Sequence, residues 1–145
     1  MTLVYLYPDE DHDVNDCIRY VLSQVRSLST PSINYFNKTI PDKLLYIVGD
    51  DDLSKLIDYN KVDDLPDLLN SVNSVTEHTV FIVESLGLIV ANTKLDYNEL
   101  NSMAVDLFQT LKKRGGYIID ENRNNFVVLN CHKSLAVSAD MLQDI

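Results

Sequence analysis

The chain has 145 residues, 46% of them hydrophobic, and its 22 acidic and 12 basic residues give a formal net charge of -10. This length predicts one domain with its own core, and the apolar content excludes a chain that is disordered throughout. The negative charge disfavours a protein that binds nucleic acid alone, because phosphate binding needs Lys and Arg. Any action on nucleic acid would therefore require a basic partner.

The cysteines and the amino-terminal sequence indicate the cellular compartment of the protein. Cys17 and Cys131 lack the spacing of zinc ligands, and we interpret Cys17 as a buried thiol in a reducing environment. Only a short apolar run precedes the first acids, which predicts no signal peptide. No apolar run approaches the roughly 20 residues of a membrane span. We expect a soluble intracellular protein.

The first predicted unit is a buried strand followed by an amphipathic helix. Leu3–Tyr7 is an apolar run that Pro8 ends, and an acidic loop follows it. Asp13 is the predicted N-cap of the helix. The apolar face of that helix comprises Val14, Cys17, Ile18, Val21, Leu22, Val25 and Leu28.

Shorter elements lead from this unit to the centre of the chain. Ile33–Phe36 and Leu44–Val48 are predicted strands. Gly49 and Asp50–Asp52 are predicted to form the turn that connects the second strand to a short helix. Asp63–Pro66 opens a further helix, because proline and acids suit a first helical turn. The inward face of the short helix comprises Leu53, Leu56 and Ile57.

The segment Glu77–Gly116 organises the rest of the chain. Val80–Glu84 is a continuous apolar run that ends in an acid, which is typical of a strand buried on both faces of a parallel sheet. Glu84 is therefore predicted at the carboxyl edge of the sheet, where ligands bind in open α/β folds. A long amphipathic helix follows, with Asp96 as its N-cap and Gly115 as its C-terminal cap.

The sequence pattern of the carboxyl-terminal third of the chain predicts two more strands. Tyr117–Ile119 returns as a strand that completes a right-handed, parallel β-α-β crossover. Asp120–Asn125 is interpreted as a turn and Phe126–Leu129 as an edge strand, with an antiparallel direction left open. The tail from Asn130 to Ile145 lacks a strong period and is expected to dock on the core. Alternating strands and helices predict an α/β fold, a three-layer sandwich around a mostly parallel sheet.

The loop after the first strand occupies the position of a phosphate-binding loop. A working loop needs glycines that let backbone N–H groups close on phosphate, then Lys for the phosphate charge and Ser or Thr for magnesium. Pro8–Asp13 has no Gly and no Lys, and it contains four acids. This charge would repel a nucleotide, so we predict that the loop does not bind one.

The same acids permit a second interpretation. Asp9–Asp13 facing Asp50–Asp52 would resemble the carboxylates of a magnesium site or of a receiver-type phosphoacceptor, and an enzyme of this kind would use Asp9, Asp11, Asp50 and Glu84. The alternative is a solvated loop with an incidental helix cap. The sequence shows no Ser/His/Asp or Cys/His grouping. We therefore predict no enzyme, with no catalytic, cofactor-binding or metal-binding residues. The scattered histidines are His12, His78 and His132.

Lys112, Lys113 and Arg114 form the only basic cluster of the sequence. One interpretation is a charge complement to the carbonyl groups at the end of the long helix. The other is a small DNA or partner contact beside the sheet edge that carries Glu84. Both remain open at this point.

The order of elements, with Val80–Ser85 and the capped helix that ends at Lys112–Gly116, resembles the RecA-type ATPase core of strand-exchange recombinases. In that family a hydrophobic strand ends in an acidic residue followed by Ser, the Walker B site, and Glu84-Ser85 is similar with Glu for the usual Asp. The resemblance covers Leu3–Leu129. It implies one degenerate RecA-like domain over residues 1–145, with Glu84 in a degenerate Walker B position.

The chain lacks several features of that family, and these differences restrict which of its members the chain resembles. The Walker A sequence is missing from Pro8–Asp13, and the amino-terminal domain and the DNA-binding loops have no counterpart. What remains is similar to the small, nucleotide-independent recombinase paralogues of the Shu complex in budding yeasts, which assist recombinase filament assembly on DNA in error-free repair. This implies a nuclear, non-catalytic subunit without cofactors, whose partners are other paralogue subunits and a RecA-type recombinase, with DNA reached through a basic partner and no membrane. The RecA-like Elongator subunits, which act in tRNA modification, are a second family of similar shape.

Overall fold

A computed structural model describes residues 2–26, 32–39, 57–76 and 78–143. In these ranges, the strands are β1 (Leu3–Pro8), β2 (Ile33–Asn37), β3 (Ile57–Lys61), β4 (Val80–Glu84), β5 (Gly116–Ile119) and β6 (Lys133–Val137). The helices are α1 (Val14–Arg26), α2 (Leu65–Ser74), α3 (Leu86–Ala91), α4 (Tyr97–Arg114), α5 (Asn125–Leu129) and α6 (Ala139–Leu142). None of these helices has the length and hydropathy that crossing a bilayer requires.

The strands form one six-stranded sheet in the order β3-β2-β4-β5-β1-β6, and every pairing is parallel. The helices pack on both faces, which confirms the predicted three-layer α/β sandwich. All strands point the same way, so their ends define two opposite edges. We call them the carboxyl edge, which carries the segments after Pro8, Asn37, Glu84 and Ile119, and the amino edge.

The central strand β4 shows how the sequence specifies both layers. Phe81 and Val83 pack into the core that contains α2, α4 and α5, while Ile82 packs into the core that contains α1. All three side chains are at most 1% exposed. Burying an apolar side chain of this size stabilises the fold by about 1.5–3 kcal/mol relative to leaving it in water. The prediction of a strand buried on both faces is confirmed.

Local signals also fixed the ends of α4. The Asp96 side chain accepts a hydrogen bond from the Glu99 backbone N–H at 2.8 Å, which confirms the predicted N-cap. Gly115 follows the helix with a φ of 78°, a conformation that glycine adopts without strain. The predicted strands at Leu3–Tyr7, Ile33–Phe36 and Tyr117–Ile119 are confirmed as β1, β2 and β5.

The prediction that Phe126–Leu129 is a strand is wrong, because these residues lie in α5. A four-residue apolar run does not distinguish a strand from a short helix, and capping decides here. The Asn124 side chain accepts hydrogen bonds from the N–H groups of Phe126 and Val127 at 3.0 and 3.3 Å. The edge strand is instead β6, which lies in the tail and pairs with β1 in parallel.

The region before α2 also departs from expectation. Ile57 was predicted on the inward face of a helix, but it begins β3 and pairs with Ile33. Helix α3 lies between β4 and α4, where no helix was predicted from the sequence. The predictions for Leu44–Val48, Asp50–Asp52, Leu53 and Leu56 lie outside the described residues.

Both cysteines are free thiols. Cys17 is fully buried on α1, as predicted, and burial raises the pKa of its thiol to about 12. Burial likewise raises the pKa of the Cys131 thiol to about 11. Thiols in this state are poor nucleophiles at neutral pH, because the thiolate is the reactive form.

Candidate functional site

The loop between β1 and α1 is held closed by its own first acid. Asp9 accepts a hydrogen bond from the Asp11 backbone N–H at 3.0 Å, and its Oδ1 lies 2.5 Å from His12 Nδ1. The Asp9 N–H in turn donates to the Val137 carbonyl at the end of β6, at 3.1 Å. Hydrogen bonding to His12 lowers the pKa of Asp9, and the same bond raises the pKa of His12. One acid of the loop is therefore paired with the loop's own histidine.

The amino-terminal end of α1 is capped by a reciprocal pair of aspartates. The Asp16 N–H donates to Asp13 Oδ1 at 3.1 Å, and the Asp13 N–H donates to Asp16 Oδ2 at 3.2 Å. This confirms Asp13 as the cap. In a phosphate-binding loop the N–H groups at this position would point at an anionic ligand. Here they bind carboxylates that belong to the chain.

Glu84 lies at the end of β4, as predicted, within a small polar network. Asn37 at the end of β2 donates from its amide nitrogen to Glu84 Oε2 at 2.6 Å and to the Tyr35 hydroxyl at 2.9 Å. Tyr35 also hydrogen-bonds to Glu84. Burial raises the pKa of Glu84, and the bonds to Tyr35 and Asn37 offset part of that rise. Two side chains of the neighbouring strand β2 therefore hydrogen-bond to the Glu84 carboxylate.

Asp120 is a second buried carboxylate at this edge, and sequence reasoning assigned it only to a turn. It follows β5, is 8% exposed, and accepts a hydrogen bond from the Tyr5 hydroxyl at 2.9 Å. It also accepts the backbone N–H groups of Leu86 and Gly87, at the start of α3. Burial raises its pKa, and these bonds lower it. An acid directly after an apolar strand was the signal that could have identified it, as it did for Glu84.

Asp120 fills the position that an external anion would take at α3. Ser85, which precedes that helix with a φ of 60°, makes no side-chain cap. The first N–H groups of a helix attract negative charge, and Asp120 supplies it from the neighbouring strand. In the described part of the chain, every buried side-chain nitrogen and oxygen has a hydrogen-bond partner. The carboxyl edge is thus satisfied internally.

The raised pKa of Glu84 predicts that Glu84→Gln stabilises the protein at neutral pH. The folded state favours the protonated carboxyl, so wild-type stability falls as pH rises from the unfolded pKa through the folded pKa. Glutamine avoids the buried charge, and we expect a gain on the order of 1 kcal/mol at pH 7. Urea unfolding at pH 7 and at about pH 4 measures the difference, which should shrink at the lower pH.

Exposed Glu121, two residues after the Ile119 that pairs with Glu84 in the sheet, provides the control, and Glu121→Gln should change stability little at either pH. A Glu84→Gln protein that is less stable than wild type at pH 7 would show that the ionised carboxylate contributes more through its hydrogen bonds than its burial costs.

The basic cluster lies at the amino edge, because Lys112–Arg114 ends α4 just before β5 begins. The prediction that it adjoins the edge of Glu84 is therefore wrong. The Arg114 guanidinium lies 4.6 Å from the centre of the Phe81 ring and donates to the Val72 and Val75 carbonyls at the end of α2. Arg114 thus joins two helices, whereas Lys113 is exposed.

Charge is distributed unequally between the two edges of the described structure. The amino edge carries Arg26, Lys112, Lys113, Arg114 and Lys133, together with the exposed acid Asp58 near the start of β3. The carboxyl edge carries the cations Lys38, Lys61, Lys94 and Arg123. Its acids are Asp9, Glu10, Asp11, Asp13, Asp16, Asp63, Asp64, Asp67, Glu84, Asp96, Glu99, Asp120, Glu121 and Asp140.

An apolar pocket of about 310 Å3 opens beside Asp120, and sequence reasoning did not anticipate it. We call it the α3–α5 groove, since helices α3, α4 and α5 form its walls and Leu65 of α2 closes one side. It is lined by Leu65, Leu86, Gly87, Val90, Tyr97, Leu100, Asn101, Ala104, Leu107, Phe108, Asn124, Phe126 and Val127. Its residues come from four separate segments, so only the fold brings them together.

The described residues contain no group of three or more His, Cys, Asp or Glu side chains placed to hold a metal ion. Asp50, which the magnesium hypothesis requires, lies outside the described ranges. No protein-family model matches the chain, and no curated protein sequence matches it. The function is therefore inferred from the geometry of the carboxyl edge and of the groove.

Proposed function

We propose that this protein is a non-catalytic, RecA-like subunit of a heteromeric DNA-repair complex that assists recombinase filament assembly in homologous recombination. The observation that carries the proposal is the loop between β1 and α1, where Asp9 pairs with His12 and Asp13 with Asp16. A nucleotide at this position would meet carboxylates, and the N–H groups of Asp11, Asp13 and Asp16 already donate to aspartate side chains. A fold that has lost its phosphate site then acts by contacting other proteins, in a nuclear complex with further recombinase paralogues and a RecA-type recombinase.

The state of Glu84 supports the same proposal. A residue that positions magnesium must be ionised and must present free oxygens to the ion. Glu84 accepts hydrogen bonds from Asn37 and Tyr35, so side chains of the protein already engage its carboxylate, and burial raises its pKa. The loop after β1 and the end of β4 lie at the same edge with β5 between them, as a shared phosphate and metal site would require. This arrangement fits a former site that has become structural.

The charge distribution supports indirect contact with DNA. Phosphates would be repelled by the carboxyl edge, whereas Lys112 and Lys113 lie at the amino edge, away from most of the acids. Two lysines supply little DNA affinity by themselves, because the affinity depends on how many phosphates the protein neutralises. A basic partner subunit would provide the remaining contacts.

The proposal predicts that charge reversal at Lys112 and Lys113 impairs the reconstituted complex. We expect Lys112→Glu combined with Lys113→Glu to lower its DNA affinity roughly tenfold near physiological salt, with normal subunit assembly. Fluorescence anisotropy with labelled single-stranded DNA measures affinity, and recombinase filament growth measures function. Lys61→Glu combined with Lys94→Glu gives the same change in charge at the carboxyl edge and should have a smaller effect.

Different results would favour the other functions. ATP or magnesium bound with micromolar affinity and turned over, with activity lost in Asp50→Asn, would overturn the proposal in favour of a phosphohydrolase or receiver domain. Failure to assemble with recombinase paralogues, together with specific assembly with tRNA-modifying subunits, would favour the Elongator-like alternative.

A further inference from the structure

The helices that form the α3–α5 groove carry most of the large apolar side chains that the described structure leaves in solvent, and Tyr97 and Phe126 among them line the groove itself. In the described ranges the large exposed hydrophobic residues are Tyr59, Leu88, Tyr97, Val105, Phe126 and Leu129. All except Tyr59 belong to the three helices that form the groove. Leu129 and Tyr97 are 82% and 80% exposed. A concentration of this kind is characteristic of a protein contact surface.

One exposed residue that lines the groove is a glycine. Apart from its chain neighbours and the backbone of its own helix, no atom lies within 4 Å of the position that a Cβ would take on Gly87. Phe126 makes an edge-on contact with Phe108 at 6.1 Å between ring centres, so aromatic rings form part of one wall. The volume of about 310 Å3 is at the lower end for pockets that hold small ligands, and it suits one or two large apolar side chains.

The charge at the mouth of the groove indicates the kind of partner. Gly87 and Asn124 both follow strand ends, so the groove opens at the acidic carboxyl edge. Asp64 caps α2 next to Leu65, and Asp96 caps α4 next to Tyr97, so each places a carboxylate beside a lining residue, whereas one cation, Arg123, adjoins the lining residue Asn124. A second copy of this chain would bring a further formal charge of -10 towards the same edge, which disfavours self-association there.

We propose that the α3–α5 groove binds a basic, amphipathic segment of a partner protein. A large apolar side chain of that segment enters above Gly87, and its Lys or Arg residues lie against Asp64 and Asp96. Apolar anchors give such contacts most of their affinity, and complementary charge gives them orientation and specificity. The inference rests on the proposed function in that the partner would belong to the same complex, and it names the surface and the chemistry that the proposed function leaves open.

A synthetic helical peptide of Leu and Lys with one Trp on its apolar face tests this inference. The chain contains no Trp, so the emission of the peptide reports binding without background from the protein. A second peptide with Glu at every Lys position separates charge from hydrophobicity. We expect saturable binding of the basic peptide, and binding at least about tenfold weaker for the acidic one.

Two variants locate the site. Gly87→Leu fills open space in the groove and should weaken binding of the basic peptide about tenfold, whereas Tyr59→Ser removes an exposed apolar residue elsewhere and should not. Asp64→Asn combined with Asp96→Asn keeps both caps, because Asn also caps helices, and should weaken binding about fivefold. Asp58→Asn combined with Asp106→Asn makes the same change in net charge away from the caps and should weaken it less.

Three results with the isolated protein would overturn the inference. These are equal affinity for both peptides, equal effects of the groove and control variants, and a dimer in sedimentation equilibrium that Gly87→Leu dissociates. The proposed function is tested separately by subunit assembly. Normal assembly of the repair complex by Gly87→Leu would refute the groove while leaving that function in place, and peptide binding without such assembly would do the reverse.

Discussion

Gly116→Ala is expected to lower the free energy of unfolding by about 3 kcal/mol or more, combining overpacking with backbone strain. Gly116 has a φ of 152°, where residues other than glycine are strained, and an added Cβ would lie 2.5 Å from the Phe81 carbonyl oxygen. The neighbouring backbone cannot move away, because β5 lies between β1 and β4 and Gly116 pairs with both Leu3 and Phe81. The obstruction is main chain in the middle of the sheet.

Urea unfolding followed by circular dichroism measures this loss, and Gly87→Ala provides the matched control. Apart from its chain neighbours and its own helix backbone, nothing lies within 4 Å of a Cβ at Gly87, in the first turn of α3, so alanine there should be neutral or stabilising by up to about 1 kcal/mol. If Gly116→Ala cost less than about 1 kcal/mol, β5 would have to accommodate a side chain by shifting against both neighbours.

Tyr5→Phe is expected to lower the free energy of unfolding by about 2 kcal/mol at pH 7. The Tyr5 hydroxyl donates to Asp120 Oδ2 at 2.9 Å and accepts the Asn124 N–H at 3.0 Å. Its removal leaves a buried carboxylate without one of its donors and a backbone N–H without its acceptor. The ring itself stays, so the loss reports the hydroxyl network and not apolar packing.

The pH dependence of this loss identifies its cause. The bond from Tyr5 lowers the pKa of Asp120, so Tyr5→Phe should raise that pKa further. Tyr5→Phe should therefore lose less stability relative to wild type in acid than at pH 7, because Asp120 is protonated in both proteins in acid. Tyr7→Phe, which alters a half-buried tyrosine of the same strand, should cost well under 1 kcal/mol. An equal loss in the two variants would assign the effect to the strand and not to Asp120.

The parts of the fold that sequence predicted correctly are those with local physical signals. Val80–Glu84 was identified as a central strand because a continuous apolar run by itself indicates a strand buried on both faces. This signal does not depend on residues elsewhere in the chain. Asp96 was identified as a cap because the capping hydrogen bond joins residues three apart. The parallel sheet followed from the alternation of elements.

The parts that sequence missed depend on residues far apart in the chain. Asp120 became recognisable as a helix cap only when β5 was placed beside β4, since it caps a helix that begins at Leu86. Arg114 was interpreted from the charge of its own helix end, yet its contacts are with α2 and Phe81. The α3–α5 groove has no sequence signal, because its apolar residues have the same spacing as ordinary core positions.

The unequal charge of the two edges has a consequence for how this molecule approaches a polyanion. A body that is cationic at one end and strongly acidic at the other experiences a torque in an external field before any atom makes contact. Beside a phosphate chain the end with Lys112 and Lys133 would rotate inward and the acidic end outward. The torque acts over a Debye length, about 8 Å at physiological ionic strength, so added salt should randomise the encounter.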